Sequence, residues 1–495
     1  MWTLVFLQAG CDAEFDRCLI PSVRCETPVT DCTGQDDDTP CPAGVCRSET
    51  CMPITEDCSA AADGTACPGG SCAAGQCCRG CVEASGCRPP GATEDLACGA
   101  RGAMCEVCRP PASRCADGGC VAPDPAMQVA AGHRATCALT MSGALYCFGG
   151  QRVSGGAGGV SCVDCPEEAT CNQCECGGSY TTPQRIRPER RWSFVAASSI
   201  FSGFTCAIEE GGQMWCWGRN SEGQLGVGDS ASRCAPSAVA GSFGQVALGG
   251  SASCALSTDG ALFCWGNKDN DRLAADLRGM ERPTSPLAVQ VGRTWESISY
   301  GNSHGCVIDA QRRLHCWGAN GSGQLGVASV LDSTPDPVVL GSEFRQVSAG
   351  SSHTCALQDT VEGTVVLCWG RNDFGQVGMD SGGAAVQSPV RVGDRADWEF
   401  IAAGAEHSCG LRDGGRLFCW GSNESGRLGV PVGPEQVLGI TEVMTGTRFR
   451  DVDIGTDHAC AIAENGVLWC WGEGSPRLGF SSPTPVSPPK AVVLE

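Results

Sequence analysis

The chain has 495 residues, 39 of them cysteine, and its 34 basic and 55 acidic side chains give a net charge of −21. This acidity argues against a nucleic-acid or anionic-membrane partner, because binding to phosphates requires the opposite charge. No run of 18 apolar residues is present to form a membrane-spanning helix, and so many cysteines favour an oxidising compartment over a reducing cytosol.

Residues 1–11 resemble the end of a bacterial lipoprotein signal. An apolar stretch, Trp2–Leu7, is followed by the small residues Ala9 and Gly10 and then by Cys11. The stretch has no basic beginning and is shorter than a complete signal, so we expect the signal to start upstream. The cysteine count is odd, and lipidation of Cys11 leaves an even number to pair. The alternative is an apolar chain end with Cys11 in a disulfide.

Residues 12–126 are predicted to be held together by disulfides rather than by a packed core. The segment holds 18 cysteines but only 11 Val, Ile, Leu or Phe residues, which is too little apolar surface to offset chain entropy. Cysteines spaced 9, 5 and 5 residues apart occur twice, beginning at Cys32 and at Cys58. Zinc is the alternative, because Cys105 and Cys108 have ligand spacing. We expect a loop-dominated, stalk-like segment.

Residues 127–495 are a tandem repeat of seven copies. Apolar residues recur at every second position within a copy, as at Cys409 and Leu411, and Gly-containing turns separate these runs. A period near 50 residues with several short strands is typical of a propeller blade. The sequence therefore predicts an all-β fold, a seven-bladed β-propeller preceded by the disulfide-rich segment. The copies are marked by their first cysteines: Cys137, Cys206, Cys254, Cys306, Cys355, Cys409 and Cys460.

Each copy contains a second cysteine that is predicted to face the first across two antiparallel strands. Six pairs are separated by ten residues and the fifth by thirteen, and the three extra residues fall in the turn. The alternative is fourteen reduced cysteines acting as small hydrophobic residues. We expect seven disulfides within blades: Cys137–Cys147, Cys206–Cys216, Cys254–Cys264, Cys306–Cys316, Cys355–Cys368, Cys409–Cys419 and Cys460–Cys470.

The repeat resembles that of the regulator of chromosome condensation family, whose members are seven-bladed propellers. In the fifth copy the resemblance rests on Gly350, His353, the pair Trp369–Gly370 and the stretch Asn372–Gly378. It covers about three quarters of the chain and implies the fold. It implies less about function, because the family includes exchange factors, enzyme inhibitors and binding scaffolds.

An insertion at 151–182 interrupts the first copy. Two cysteine pairs in the insertion, Cys162 with Cys165 and Cys171 with Cys174, have the spacing of a four-cysteine zinc site, but the two pairs are unusually close together. Three disulfides would use every remaining cysteine, so we expect disulfides, with zinc as the alternative. The insertion holds five of the six cysteines that belong to no blade pair, which are Cys162, Cys165, Cys171, Cys174, Cys176 and Cys234.

The sequence offers no recognisable catalytic, cofactor-binding or metal site. Gly321–Gly326 matches a dinucleotide-binding glycine pattern, but it is one copy of the repeat loop and opens no helix. We therefore expect neither enzyme activity nor a cofactor. Four of the six histidines share a position two residues before a first cysteine, which indicates one repeated structural role: His304, His353, His407 and His458.

These observations predict a non-enzymatic, exported protein-binding propeller in the extracellular space or cell envelope, on a bacterial outer surface or in the periplasm. It would touch a membrane only through lipid at Cys11, and its partner would be a protein rather than a nucleic acid. Irregular connections at 149–182 and 267–285 lie on one face, where we expect the partner. The alternatives are a guanine nucleotide exchange factor for a small GTPase and a secreted inhibitor similar to the bacterial β-lactamase-inhibitor propellers.

Overall fold

The computed structural model describes residues 124–150, 179–198, 203–275, 281–328, 332–430, 436–474, 476–482 and 484–494, and the backbone of short strands between residues 40 and 121. The chain divides into two units, Met1–Pro123 and Asp124–Glu495. The predictions for Cys11, for the disulfides of the stalk-like segment and for the five cysteines of the insertion concern residues outside the described ranges. Cys234 lies within them and is buried and disulfide-bonded.

The first unit contains short antiparallel strands in separate small sheets. Three of them form one sheet, and the others pair in sequence order as two-stranded sheets. The strands are β1 (Pro40–Cys41), β2 (Gly44–Arg47), β3 (Thr50–Pro53), β4 (Val82–Glu83), β5 (Gly86–Cys87), β6 (Leu96–Cys98), β7 (Glu106–Cys108), β8 (Arg114–Ala116) and β9 (Gly119–Val121).

The second unit is a seven-bladed β-propeller. Each blade is one four-stranded antiparallel sheet whose strands follow in chain order. Blade 1 comprises β10 (Ala126–Ala131), β11 (Ala135–Thr140), β12 (Leu145–Gly150) and β13 (Ser179–Ile186). Blade 2 comprises β14 (Trp192–Ala197), β15 (Phe204–Glu209), β16 (Met214–Gly218) and β17 (Arg233–Val239), and blade 3 comprises β18 (Phe243–Leu248), β19 (Ala252–Ser257), β20 (Leu262–Gly266) and β21 (Leu287–Ala288).

The remaining blades repeat this arrangement. Blade 4 comprises β22 (Trp295–Tyr300), β23 (His304–Asp309), β24 (Leu314–Ala319) and β25 (Ser333–Val339), and blade 5 comprises β26 (Phe344–Ala349), β27 (His353–Thr360), β28 (Gly363–Gly370) and β29 (Val386–Arg391). Blade 6 comprises β30 (Trp398–Ala403), β31 (His407–Arg412), β32 (Arg416–Ser422) and β33 (Gln436–Val443), and blade 7 comprises β34 (Phe449–Ile454), β35 (His458–Ala463), β36 (Leu468–Gly472) and β37 (Val486–Val492). Short 3-10 turns occur at Asp269–Asp271 and Glu424–Gly426.

The antiparallel strand order gives the propeller two distinct faces. The loop face carries the connections from first to second and from third to fourth strand, such as 350–352 and 371–385 in blade 5. The hairpin face carries the turns between second and third strands and the connections to the next blade, such as 310–313 and 340–343. The outermost strands contain prolines, as at Pro389, because no further strand lies at the outer edge of a blade to accept the N–H that proline lacks.

The hydrophobic core lies between neighbouring blades. Between blades 4 and 5, for example, Ile308 and Leu325 pack with Phe344 and Trp369, and all four are buried. A blade therefore cannot bury its apolar face alone, which explains why the repeats must close into a ring.

Each predicted blade pair of cysteines lies directly opposite across the second and third strands. In all seven pairs the Cα atoms are 4.1 Å apart, and the sulfur–sulfur distances are 2.07–2.13 Å. The longer hairpin of blade 5 keeps Cys355 opposite Cys368 and adds its extra residues at the tip, where Thr360 pairs with Gly363. The insertion therefore lengthens the hairpin without shifting its register.

Candidate functional site

The repeated histidines join neighbouring blades beneath the loop face. The hydroxyl of Thr354 donates to the carbonyl of Gln324 at 2.8 Å. The imidazole Nε2 of His304, which contacts the same hydroxyl, must therefore donate to it. Burial lowers the pKa of His304 to about 4 and that of His353 and His458 to about 3. These rings are neutral and structural. The Nε2 atoms of His304, His353 and His458 lie 2.8, 2.9 and 2.7 Å from the hydroxyls of Thr354, Ser408 and Thr136 in the following blade.

His407 is the exception among these histidines. Its equivalent hydroxyl partner is replaced by Ala459, and neither ring nitrogen has a hydrogen-bond partner among the described residues. Its ring is fully buried, and burial followed by the charge of Arg427 holds its pKa well below the usual range. The seam between blades 6 and 7 therefore contains an unsatisfied imidazole.

The Asn-x-x-Gly-Gln stretch builds the loop after the third strand. In blade 5, Asn372 Oδ1 accepts the N–H of Val377 at 2.9 Å, and its Nδ2 donates to the carbonyl of Met379 at 2.9 Å. Gln376 turns its Oε1 onto the N–H of Phe374 at 2.9 Å. The loop at 321–326 has the same bonds, with Asn320 accepting from Leu325 at 3.0 Å, so its glycines serve a turn rather than a nucleotide.

The loop carbonyl that accepts the Thr354 hydroxyl, Gln324 O in blade 4, also accepts the indole N–H of the tryptophan in the next blade. Trp369 Nε1 donates to Gln324 O at 2.9 Å, and Trp471 Nε1 donates to Arg427 O at 2.9 Å. The Trp-Gly pairs and the Gln-Leu-Gly stretches of the repeat are thus two halves of one contact between blades. This contact accounts for the sequence motif without invoking a ligand.

Blades 6 and 7 place a dense ion-pair network on the loop face. Arg427 stands where blades 2, 4 and 5 have glutamine, and only 3% of its side chain is exposed. Its guanidinium lies 2.9 Å from Glu424, 3.3 Å from Asp457 and 3.4 Å from Glu406. Asp457 continues the network to Arg477 at 3.2 Å. The sequence reasoning missed this network, although the Arg-Leu-Gly variants of the loop motif were the available signal.

A central channel runs between the innermost strands of all seven blades and encloses about 270 Å³. Polar side chains stitch adjacent strands along it. Gln346 Nε2 donates to Ile401 O and its Oε1 accepts from Ile401 N, both at 3.0 Å, and Gln128 makes the same pair with Val195 at 3.1 Å. These bonds satisfy the side-chain amides of both glutamines and the backbone groups of Ile401 and Val195 that they contact.

Two aspartates make the corresponding seam where blade 7 meets blade 1. Asp451 accepts the N–H of Val129 at 3.0 Å, and Asp453 accepts that of Ala131 at 2.7 Å. Burial raises the pKa of Asp451 to about 6. Burial, assisted by the charge of Asp451, raises that of Asp453 to about 7. Sequence reasoning missed this pair, because the seam joins residues 322 positions apart.

The connections predicted to bind the partner lie on the loop face in their described parts. Residues 151–178 and 276–280 are outside the described ranges. Within 267–285, Asn267 donates to Glu222 of the neighbouring loop at 3.2 Å, and Arg282 pairs with the same carboxylate at 2.6 Å. The loops of blades 2 and 3 are therefore joined to each other on this face.

The described part of the chain contains no group of three or more His, Cys, Asp or Glu side chains arranged to hold a metal ion. The same residues include no helix long and apolar enough to cross a membrane.

The repeat geometry agrees with the comparison against known families. The model of the RCC1-like domain matches residues 202–494. The chain belongs to the RCC1-like domain family. Blade 1 precedes the matched range and shows the same four-stranded order, although Phe148 occupies the position of the usual tryptophan.

Known proteins place the RCC1-like propeller in context. Human HERC6, described as a probable E3 ubiquitin-protein ligase, is 30% identical over 232 residues, which are 44% of this chain and 22% of HERC6. The crystal structure of human WBSCR16 matches with a TM-score of 0.58 at 19% identity, covering 67% of this chain and 88% of that one. Yeast RCC1 (Prp20) bound to Kap60 matches with a TM-score of 0.56 at 23% identity, covering 64% and 79%. The chain thus spans under a quarter of HERC6, and the two structures establish similarity of fold.

Proposed function

We propose that this RCC1-like propeller is a non-enzymatic protein-binding module of an exported protein. The observation that carries the proposal is the set of seven cysteine pairs, one in every blade, at disulfide distance. Such bonds form and persist in oxidising compartments, and a cytosolic protein would keep these residues as thiols. The chemistry of the blades therefore supports export, and lipid at Cys11 is the proposed means of retention.

The absence of enzyme activity is part of the proposal. The periodic histidines, apart from His407, bind hydroxyls of the next blade, and burial keeps His304 and its equivalents neutral. The raised pKa values in the channel belong to Asp451 and Asp453, whose carboxylates bind backbone N–H groups of blade 1. A perturbed pKa is one signal of a catalytic group, but here, apart from His407, the histidines and aspartates with perturbed pKa values have structural partners.

A protein is the partner that the fold supports best. A propeller offers loops on two rigid faces, and rigid loops are where scaffolds place binding sites. Yeast RCC1, which shares the fold, was crystallised with the protein Kap60. We propose the loop face for the principal partner, because the irregular connections of blades 1 and 3 leave from that side.

Guanine nucleotide exchange on a small GTPase is the second candidate, and it rests on family membership. It requires a cytosolic location, where the blade disulfides would be reduced. An exported enzyme inhibitor would be a special case of the protein-binding proposal.

Thiol counting on the unfolded, unreduced full-length protein tests the proposal. The protein should be recovered from its native compartment and labelled with a thiol-specific reagent before mass analysis. We expect at most one or two free thiols among the 39 cysteines. Labelling of all fourteen blade cysteines would contradict export and would favour the exchange-factor function instead.

A further inference from the structure

A groove on the hairpin face departs from the sevenfold pattern. Two cavities of about 410 and 470 Å³ lie side by side and share Thr294, Trp295 and Ala310. The hairpin of blade 4 lines the first cavity, and the hairpin of blade 3 lines the second. We call the two cavities together the hairpin groove.

The floor of the groove contains a substituted repeat position. The residue before the second cysteine of a blade is a large apolar one in the other six copies, but in blade 4 it is His315. Its ring stands edge-on to Trp295, with centroids 5.0 Å apart, and its Nε2 lies 3.0 Å from the carboxylate of Asp309. The first cavity thus has an aromatic floor with polar groups beside it.

Exposed apolar side chains lie at the first cavity. Val339 lines it and is 55% exposed, and Val291, the neighbour of the lining residue Gly292, is 86% exposed. The hairpins of blades 4 and 5 are held together by an ion pair of 2.6 Å between Arg312 and Asp359. An apolar rim on a rigid support is typical of a surface that a partner covers.

Opposite charges lie at the two ends of the groove. Arg293 lines the first cavity, and no ion pair or side-chain hydrogen bond to it is found among the described residues. Asp259 and Glu296 line the second cavity. The other charged side chains of the first cavity are paired with each other, Arg313 with Asp309 at 2.8 Å. The groove is therefore basic at one end, acidic at the other and apolar between them.

We propose that the hairpin groove binds an extended segment of a partner protein in which a bulky apolar residue stands between an acidic and a basic residue. The acidic residue pairs with Arg293, the basic residue faces Asp259 and Glu296, and the apolar side chain occupies the cavity over Trp295. This inference rests on the proposed protein-binding function and adds a second surface and the chemistry of its ligand.

Selection of short random displayed peptides on the full-length oxidised protein tests the inference. We expect enriched peptides to carry the acidic–apolar–basic pattern. Arg293→Glu should weaken their binding about tenfold or more, because a favourable charge pair becomes repulsive. Ala310→Trp should have a similar effect by filling the groove without changing charge. Arg219→Glu, on the loop face, is the matched control and should leave binding unchanged.

A charge swap completes the test. Replacing the acidic residue of a selected peptide by lysine should restore binding to Arg293→Glu. Peptides that respond to Arg219→Glu but not to Arg293→Glu would overturn the groove and leave the proposed protein-binding function intact. Failure to enrich any peptide, or peptides indifferent to all three variants, would also overturn it. Circular dichroism and thermal unfolding show whether each variant keeps its fold.

Discussion

His407 shows how a single residue change breaks a repeated contact. The periodicity of the histidines was enough to predict a structural role for them, because the same position in successive copies occupies an equivalent place in the blade. It could not reveal that the hydroxyl partner is missing at Ala459, since that partner comes from the following blade. Among these four histidines in the described residues, His407 alone therefore bears the cost of having neither ring nitrogen hydrogen-bonded.

Restoring the hydroxyl should stabilise the propeller. We expect Ala459→Ser to raise the free energy of unfolding by about 1 kcal/mol, because serine can accept from His407 and donate to the carbonyl of Arg427. The reverse change at the preceding seam, Ser408→Ala, should lower it by about 1–3 kcal/mol, since His353 loses its partner at 2.9 Å. Urea denaturation of both variants measures the effects. A neutral Ser408→Ala would show that the histidine contacts do not stabilise the ring.

Asp453 should make the stability of the propeller depend on pH. Its pKa is about 7 in the folded protein, above its value in an unfolded chain. Such a group stabilises the fold at pH values below about 4, and that stabilisation is lost as the pH rises through about 7. Asp453→Asn keeps an oxygen for the N–H of Ala131 and removes the ionisation. We expect it to exceed the wild type in unfolding free energy by about 1–2 kcal/mol at pH 8, and the difference to vanish near pH 4.

The mirror-image change provides the control for that pH dependence. Gln346 joins blades 5 and 6 in the same channel through two hydrogen bonds of 3.0 Å to Ile401, and its side chain carries no charge. Gln346→Glu should destabilise the protein more at high pH than at low pH, because a carboxylate is then buried in the channel. Denaturation curves at both pH values give the comparison. Equal pH profiles for wild type and Asp453→Asn would refute the assignment of the titration to Asp453.

The hairpin with its cysteine pair is the element that repeats most regularly. Its register was predictable, because the fifth copy tolerates three more residues only if they fall in the turn. The hairpin groove was not predictable, since it requires knowing that the turns of blades 3 and 4 lie next to the connection at Trp295. Pattern within one copy can be seen in the sequence, whereas proximity between copies depends on how the blades are arranged.

Removing one blade pair should cost stability without destroying the sheet. For Cys254→Ala with Cys264→Ala we expect a loss of about 2–3 kcal/mol in unfolding free energy, the value for closing a loop of about ten residues. The comparison is urea denaturation under oxidising conditions, with far-UV circular dichroism to confirm that the blades remain. An unchanged denaturation midpoint would mean that the two sulfurs are not bonded. So would a difference in unfolding free energy between variant and wild type that stays the same when both proteins are reduced.

At the scale of the whole molecule, the seven-bladed ring was predictable and its closure was not. Seven copies with a period near 50 residues specify the blade number, because each copy supplies one complete sheet. The contacts of Asp451 with Val129 join the two ends of the propeller, and no local pattern identifies which residues meet there. The Arg427 network also depends on three different loops, so only the Arg-Leu-Gly stretch that supplies Arg427 was visible in the sequence.

Attachment of the whole protein to a membrane is the remaining prediction. Expressed in its native host, the Cys11→Ser variant should be released from the membrane fraction, because lipid rather than charge must hold an acidic chain at an anionic surface. Immunoblots of fractionated cells measure the distribution, and unchanged thermal unfolding shows that the propeller is intact. An unmodified Cys11 found in a disulfide by mass spectrometry of the native protein would replace the anchor with free secretion.

Every blade is built from four strands that are consecutive in the chain, and its cysteine pair joins residues only 10 or 13 positions apart. If the protein is exported as proposed, a chain threaded through a secretion pore from its amino terminus can oxidise each hairpin as soon as it emerges, before the next one appears. The correct thiols meet first, so the fourteen need no sorting among themselves. Ring closure through the last blade then becomes the final step of maturation, separate in time from the redox chemistry.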